Sequence, residues 1–191
     1  MAVQIETTEL DGVVILTPDR FTDARGFFSE TYNKSTLAKA GIEAVFVQDN
    51  QSFSLASGTV RGLHFQSPPH AQTKLVRCDR GACFDVAVDI RSGSPTYGKW
   101  VGTELSHKNG RQLLVPSGFA HGFATLVPET VVSYKCSQEY APQAEHGLLW
   151  NDPDIAVNWG VNTADAVLSD KDAVAGSFAN LKSPFVWEGS Q

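Results

Sequence analysis

The sequence predicts an all-β protein, a jelly-roll barrel with a few short peripheral helices. Three observations point there. Short runs rich in β-branched and aromatic residues recur along the chain, and turn residues separate them. One run also alternates strictly, Phe84, Val86, Val88 and Ile90 against Asp85, Ala87 and Asp89. The strand candidates, in order, are residues 13–16, 45–53, 59–65, 74–78, 84–90, 112–115 and 131–136. The breaks fall at Asp11-Gly12, Ser57-Gly58, Asp79-Arg80-Gly81, Ser92-Gly93-Ser94-Pro95 and Asn109-Gly110, residue types that accept turn geometry. The alternating run predicts a strand with one dry face. Many short strands with frequent turns indicate a sandwich or barrel. Two short helices are expected. One covers 35–40 and ends at Gly41; the other is opened by Ser169, with Asp172 three residues later in a capping-box-like spacing.

Gly110, Pro116, Gly118 and His121 fit Gly-x5-Pro-x-Gly-x2-His, half of a cupin barrel signature, which favours the cupin form of the jelly roll. The other half would need a His-x-His pair and a downstream Glu to hold a metal. The chain offers His64-Phe65-Gln66 there, so no metal site is expected. A barrel of metal-enzyme type without that pair suggests acid–base chemistry by side chains alone.

The 191 residues fit a single domain spanning 1–191, with a C-terminal helical segment from about 169. A net charge of −6 argues against nucleic-acid or membrane-surface partners, which favour basic proteins. A small anionic ligand remains compatible, since it needs only a few placed Arg and Lys. Cys78, Cys83 and Cys136 lie in apolar runs and are expected to be buried and reduced. The N-terminal residues show no signal-peptide pattern and no apolar stretch approaches membrane-spanning length, so a cytoplasmic location is expected.

Several side chains could carry chemistry. His64 can accept a proton near neutrality, although a lone histidine is more often simply satisfied in a core. Strict alternation sets Arg61 and His64 on opposite faces, so both reach one cavity only if Gly62 breaks the pleat as a bulge. Lys74, mid-strand on an apolar face with Val76 and Cys78, could stabilise an oxyanion or merely protect a sheet edge. Tyr134 could donate a proton from the side opposite a histidine base, or could be an ordinary buried tyrosine. Asp172 could orient His64 or cap its own helix; Asp85 and Asp89 are rivals as the histidine's partner. Arg25 and Arg61 could each fork onto phosphate oxygens. The polar trio Gln48, Asp49 and Asn50 interrupts an apolar strand and points to a ligand-lined cavity.

DARGFFSE, FVQDNQS, VRGLHFQ, QTKLVR, FDVAVDIR, SPTYGKW, PSGFAHGF, SYKC, LLWNDP and LSDKD run in this order from Asp23 to Asp172. Together they closely resemble the dTDP-4-dehydrorhamnose 3,5-epimerases, cofactor-independent sugar-nucleotide epimerases of the cupin class. The resemblance implies that His64 is the base, Asp172 its partner, Lys74 the group that stabilises an enolate and Tyr134 the acid. It implies that Arg25, Glu30, Gln48, Asn50, Arg61, His121, Glu145 and Lys171 contact the nucleotide sugar, that Tyr140 stacks on the thymine ring and that Phe28 walls the pocket. Members of that family are homodimers that exchange N-terminal strands, which would place Arg25 in the neighbouring subunit's site. No cofactor is implied, and the substrate would be a dTDP-4-keto-6-deoxy sugar. The chain matches the family pattern at each proposed catalytic position.

The chemistry agrees with that implication. Protons on carbons beside a ketone are acidic because the negative charge moves onto oxygen, and inversion needs a base on one face and an acid on the other. Three alternatives stay open: a mono-epimerase of a related pathway, a non-catalytic sugar-nucleotide-binding cupin, and a metal-dependent cupin oxygenase. The last would need two or more His and a carboxylate to converge. Only His64 and His121 sit in suitable strands; His70, His107 and His146 read as loop residues.

Overall fold

The computed structural model describes residues 2–189. Its strands are β1 (Val3–Thr7), β2 (Val14–Pro18), β3 (Phe21–Asp23), β4 (Gly26–Phe28), β5 (Gln48–Ser54), β6 (Val60–Gln66), β7 (Lys74–Arg80), β8 (Ala82–Asp89), β9 (Trp100–Ser106), β10 (Gln112–Val115), β11 (Phe119–Thr125), β12 (Thr130–Cys136) and β13 (Glu145–Gly147). They form a six-stranded sheet in the order β1-β2-β10-β7-β12-β5, a five-stranded sheet in the order β13-β6-β11-β8-β9, and the small hairpin β3-β4. Every paired neighbour is antiparallel. This is the expected all-β jelly roll.

Three apolar layers hold it together. Between the sheets lie Val76, Cys78, Cys83, Ala87, Leu105, Leu113, Val115, Phe119, Phe123 and Val132. The outer face of the five-stranded sheet is covered by the C-terminal segment, which packs Trp150, Ile155 and Trp159 onto Val86, Val88 and Ile90. The third layer joins Leu16, Leu75 and Leu114 to Leu37 of helix α1 (Lys34–Lys39). Strand β8 therefore differs from its expected pattern. Its alternation separates two buried faces, one inside the barrel and one beneath the C-terminal segment, where a single dry face was predicted.

Other departures have local causes. Strand β5 starts at Gln48 because its partner β12 ends at Cys136, directly opposite, so 45–47 have no ladder to join. Strand β11 contains Ala120, Gly122 and Ala124, whose weak strand propensity leaves it outside the candidate runs, although the strand placement expected for His121 holds; β1 and β9 also lie outside those runs. The segment 21–28 is a tight hairpin. The three cysteines are free and buried, as expected. Helix α1 is capped by the Asn33 side chain. The C-terminal segment holds one short helix, α2 (Asp170–Ala173), and a 3-10 turn at Phe178–Asn180, so its helical content is smaller than expected. No helix among the described residues is long and apolar enough to cross a membrane.

One irregularity positions the interior. Between the pairs His121↔His64 and Phe123↔Arg61 the β6–β11 register slips, so β6 carries one extra residue at Gly62 and Leu63. Gly62 has φ +122°, and a Cβ there would lie 2.6 Å from Gly122 Cα and 2.7 Å from the His121 carbonyl oxygen. Gly62→Ala is therefore expected to destabilise the fold by about 2–4 kcal/mol in chemical denaturation. A change within 0.5 kcal/mol would show that the two strands can separate freely at this point.

Candidate active site

The bulge turns both Arg61 and His64 toward the same cavity. That cavity has a volume of about 480 Å³, and its lining includes Arg61, His64, Lys74, His121, Tyr134, Glu145, Lys171 and Asp172. A smaller lobe of about 90 Å³ shares His64, Lys74, Tyr134 and Glu145, and adds Gln48, Asn50 and Tyr140. His64 and His121 stand on β6 and β11 of the five-stranded sheet, directly opposite one another in register. Lys74 and Tyr134 stand on β7 and β12 of the six-stranded sheet. Imidazoles thus line one wall, and an ammonium and a phenol line the other.

His64 Nε2 lies 2.5 Å from Asp172 Oδ1. With Nε2–H donating to the carboxylate, the lone pair of neutral His64 resides on Nδ1. Helix α2 fixes this pair. Its N-cap is Ser169, whose hydroxyl accepts from the Asp172 amide at 3.2 Å. The capping role is filled by serine, and the Asp172 carboxylate is released to the histidine. The rivals are committed elsewhere: Asp85 Oδ1 lies 2.9 Å from His121 Nε2, and Asp89 pairs with Arg91, Ser94 and Thr96. Burial opposes ionisation of Asp172, but the hydrogen bond and charge of His64, with Ser169 and the Gly62 backbone, outweigh it and hold the carboxyl below its ordinary value.

Burial pushes the Lys74 ammonium down, and the nearby Cys136, Asp85 and Glu145 pull it partly back. Burial pushes the Tyr134 phenol up, so it keeps its proton at neutral pH. At the mouth, Glu145 accepts from Tyr140 Oη at 2.7 Å and pairs with Lys171 Nζ at 2.6 Å. Gln48 accepts from the Tyr140 amide at 2.8 Å and donates to Asn50 at 3.0 Å. The exposed ring of Tyr140 beside this polar cluster offers a surface on which a flat ring can stack.

Four expected site residues do not reach this cavity. Asp49 faces the opposite side of β5, where it pairs with Lys135 at 2.8 Å. Arg25 sits at the tip of the β3-β4 hairpin against Asp23, and Phe28 is exposed on the same hairpin. Glu30 accepts from Asn33 at 3.0 Å beside a shallow depression near α1. Conversely, the cavity also uses Ser52, Thr59, Phe123, Val167 and Leu168, which were not singled out in the sequence. Ser52 was legible as the next inward position after Gln48 and Asn50; Val167 and Leu168 carry no chemical signal. Among the described residues, no group of three or more His, Cys, Asp or Glu converges to hold a metal ion.

The arrangement can take a proton from one face of a bound molecule, hold a negative oxygen at Lys74, and return a proton from the other wall. Comparisons with known proteins identify the relatives of this chain. The family model described as dTDP-4-dehydrorhamnose 3,5-epimerase matches residues 7–180. The dTDP-4-dehydrorhamnose 3,5-epimerase of Sinorhizobium fredii is 53% identical over 173 residues, covering 91% of this chain and 88% of that protein. The crystal structure of the Bacillus anthracis enzyme of that name, with TDP and pyrophosphate bound, superposes with a TM-score of 0.89 at 49% identity, covering 92% of this chain and 99% of that one. The dTDP-6-deoxy-D-glucose-3,5-epimerase of Legionella pneumophila, in complex with dTDP-4-keto-L-rhamnose, superposes with a TM-score of 0.92 at 41% identity, covering 98% and 100%.

The lowered carboxyl of Asp172 has a pH consequence. A depressed folded value means that its ionisation contributes stability above the unfolded value near 3.8 and loses it as pH falls through the folded value. Asp172→Asn is expected to lower the unfolding free energy at pH 7 by roughly 2 kcal/mol. The gap from the parent should close below about pH 4. Denaturant titrations across that window check this; a gap independent of pH would remove the carboxylate's charge from the account.

Proposed function

The chain belongs to the dTDP-4-dehydrorhamnose 3,5-epimerase family and is an isomerase; we propose that it inverts C3 and C5 of dTDP-4-dehydro-6-deoxy-D-glucose to give dTDP-4-dehydro-L-rhamnose, without a cofactor, in dTDP-L-rhamnose biosynthesis in the cytoplasm. The observation that carries this reading is the opposition of His64 and Tyr134 across one cavity, with Lys74 on the same sheet as Tyr134 and lining the same space. His64 Nδ1 takes the proton next to the C4 ketone, and Asp172 stabilises the imidazolium that results. The C4 oxygen gains the charge and meets the Lys74 ammonium. Tyr134 then supplies a proton to the opposite face of the same carbon. C3 and C5 both flank C4, so the same three groups serve both centres once the sugar ring shifts.

Arg61, His121, Glu145 and Lys171, with Gln48 and Asn50, surround the space available to the nucleotide sugar, and the Tyr140 ring is assigned to the base. Arg25, Phe28 and Glu30 are assigned to the site of a second subunit in a homodimer. Two features support that assignment. Phe21, Phe27 and Phe28 on the hairpin are 52%, 46% and 61% exposed, and the outward face of β5 leaves Phe53 and the neighbouring Val47 and Leu55 in solvent. Sedimentation should find a dimer; a monomer at catalytic concentrations would strip these three residues of the role.

The decisive experiment is proton NMR of the protein with dTDP-4-keto-6-deoxyglucose in deuterated water, without added metal. Deuterium is expected at both C3 and C5, with appearance of the L-rhamno product. His64→Asn and Tyr134→Phe should each slow product formation by ~10²-fold or more while still binding dTDP. Exchange at one carbon alone would identify a mono-epimerase. Binding without exchange would leave a sugar-nucleotide-binding protein and end the roles given to His64 and Tyr134.

A further inference from the structure

The Lys74 side chain makes no hydrogen bond or ion pair among the described residues, although it is partly buried on a barrel wall. The carboxylates whose charge acts on it, Asp85 and Glu145, make no direct contact with it. Asp85 lies on β8, fully buried beneath the cavity. Asp85 Oδ1 is tied to His121 Nε2 at 2.9 Å. Its Oδ2 is the one buried side-chain nitrogen or oxygen among the described residues that lacks a hydrogen-bond partner. An orphaned acceptor in a closed interior is unfavourable by about 1–3 kcal/mol, so its presence asks for a reason.

We propose that Asp85 is a positioning residue for the epimerisation, a counter-ion held out of contact, which keeps Lys74 charged while leaving its N–H donors free for the substrate oxygen. The tether to His121 is what makes this possible. A carboxylate free to move would close on the ammonium, satisfy itself, and occupy the donors that a developing enolate oxygen needs. Fixed on the imidazole, it acts on Lys74 through its field alone, which is strong where water is excluded. The same bond directs Nε2–H of His121 into the protein and leaves its Nδ1 as an acceptor on the cavity side. Asp172 treats His64 in the same way, so the wall carries two histidine–aspartate pairs of equal polarity.

Titratable and polar groups face this pair of charges from several strands. Asp85 sees His121 on β11, Cys83 on its own strand and Thr103 directly across on β9, with Glu104 next to it. Lys74 sees Cys136 on β12, Asp85 on β8 and Glu145 on β13. Glu145 already pairs with Lys171, which leaves Asp85 as the carboxylate whose second oxygen is uncommitted.

The role rests on the epimerase reading, but its test does not need turnover. Reductive methylation with 13C-formaldehyde labels the lysines and keeps their charge, and Lys74→Arg assigns the Lys74 signal. In Asp85→Asn, whose amide oxygen can still accept from His121, the titration midpoint of Lys74 is expected to fall by about one pH unit. Asp85→Ser removes the charge with a smaller side chain and should do the same if the asparagine variant does not fold. In kinetics, the alkaline limb of kcat should move down by a similar interval while the acid limb stays in place. A Lys74 midpoint unchanged in a folded variant overturns the proposal, as does a rate lowered equally at all pH values. A wild-type protein without deuterium exchange would sink the epimerase reading separately, and leaves the midpoint comparison standing.

Discussion

Two glycines in contact, Gly62 and Gly122, set the geometry on which the interior depends. Neither position has room for a methyl group: a Cβ on Gly122 would meet the Arg61 carbonyl oxygen at 2.8 Å, and one on Gly62 would meet Gly122 itself. The backbones of β6 and β11 can therefore approach closely enough for β6 to carry an extra residue. That residue reverses the facing of everything after it. Without it Arg61 and His64 would look in opposite directions, and the cavity would hold either a base or a guanidinium. Trp159, packed 3.2 Å from where the Gly122 Cβ would be, closes the other side of the contact and ties it to the C-terminal layer.

The two sheets then divide the chemistry. Each wall of the cavity belongs to a different hydrogen-bonded ladder, so the distance between the imidazoles and the phenol is set by barrel packing and is insulated from loop motion. Val76 and Val132 behind Lys74 and Tyr134, and Ala87 behind His121, belong to one apolar layer. Groups placed on rigid strands lose little freedom when a ligand arrives. At the mouth Glu145 and Lys171 pair with one another, the lysine exposed and the carboxylate largely sheltered.

Much of this was legible in the sequence, and the limits have physical reasons. Seven strand runs were legible from their β-branched and aromatic residues, while β1 and β9 were passed over although they hold Val3, Ile5, Val101 and Thr103; β11 was legible through His121 and its signature and not through its small residues, which carry little strand propensity. The possibility of a bulge at Gly62 could be stated, since alternation alone forbade the required pairing, but its confirmation needed the register. Asp172 could not be separated from a capping role until Ser169 was seen to fill it. Alternation along β5 correctly separates Gln48 and Asn50 from Asp49, a distinction lost when the three are read as one polar trio. His121 was legible as a site residue, but its partner was not, because nothing in a strand pattern says which histidine a buried aspartate meets.

Asp172 comes 108 residues after the histidine it pairs with, from a strap that returns across the barrel and is stitched down by the parallel bridges Thr59↔Val167 and Leu148↔Gly176. Every strand of the two sheets precedes Asp172 in the chain. The imidazole thus stands on a continuous strand ladder while its carboxylate is carried by a segment held through isolated bridges, so the pair is only as fixed as the strap.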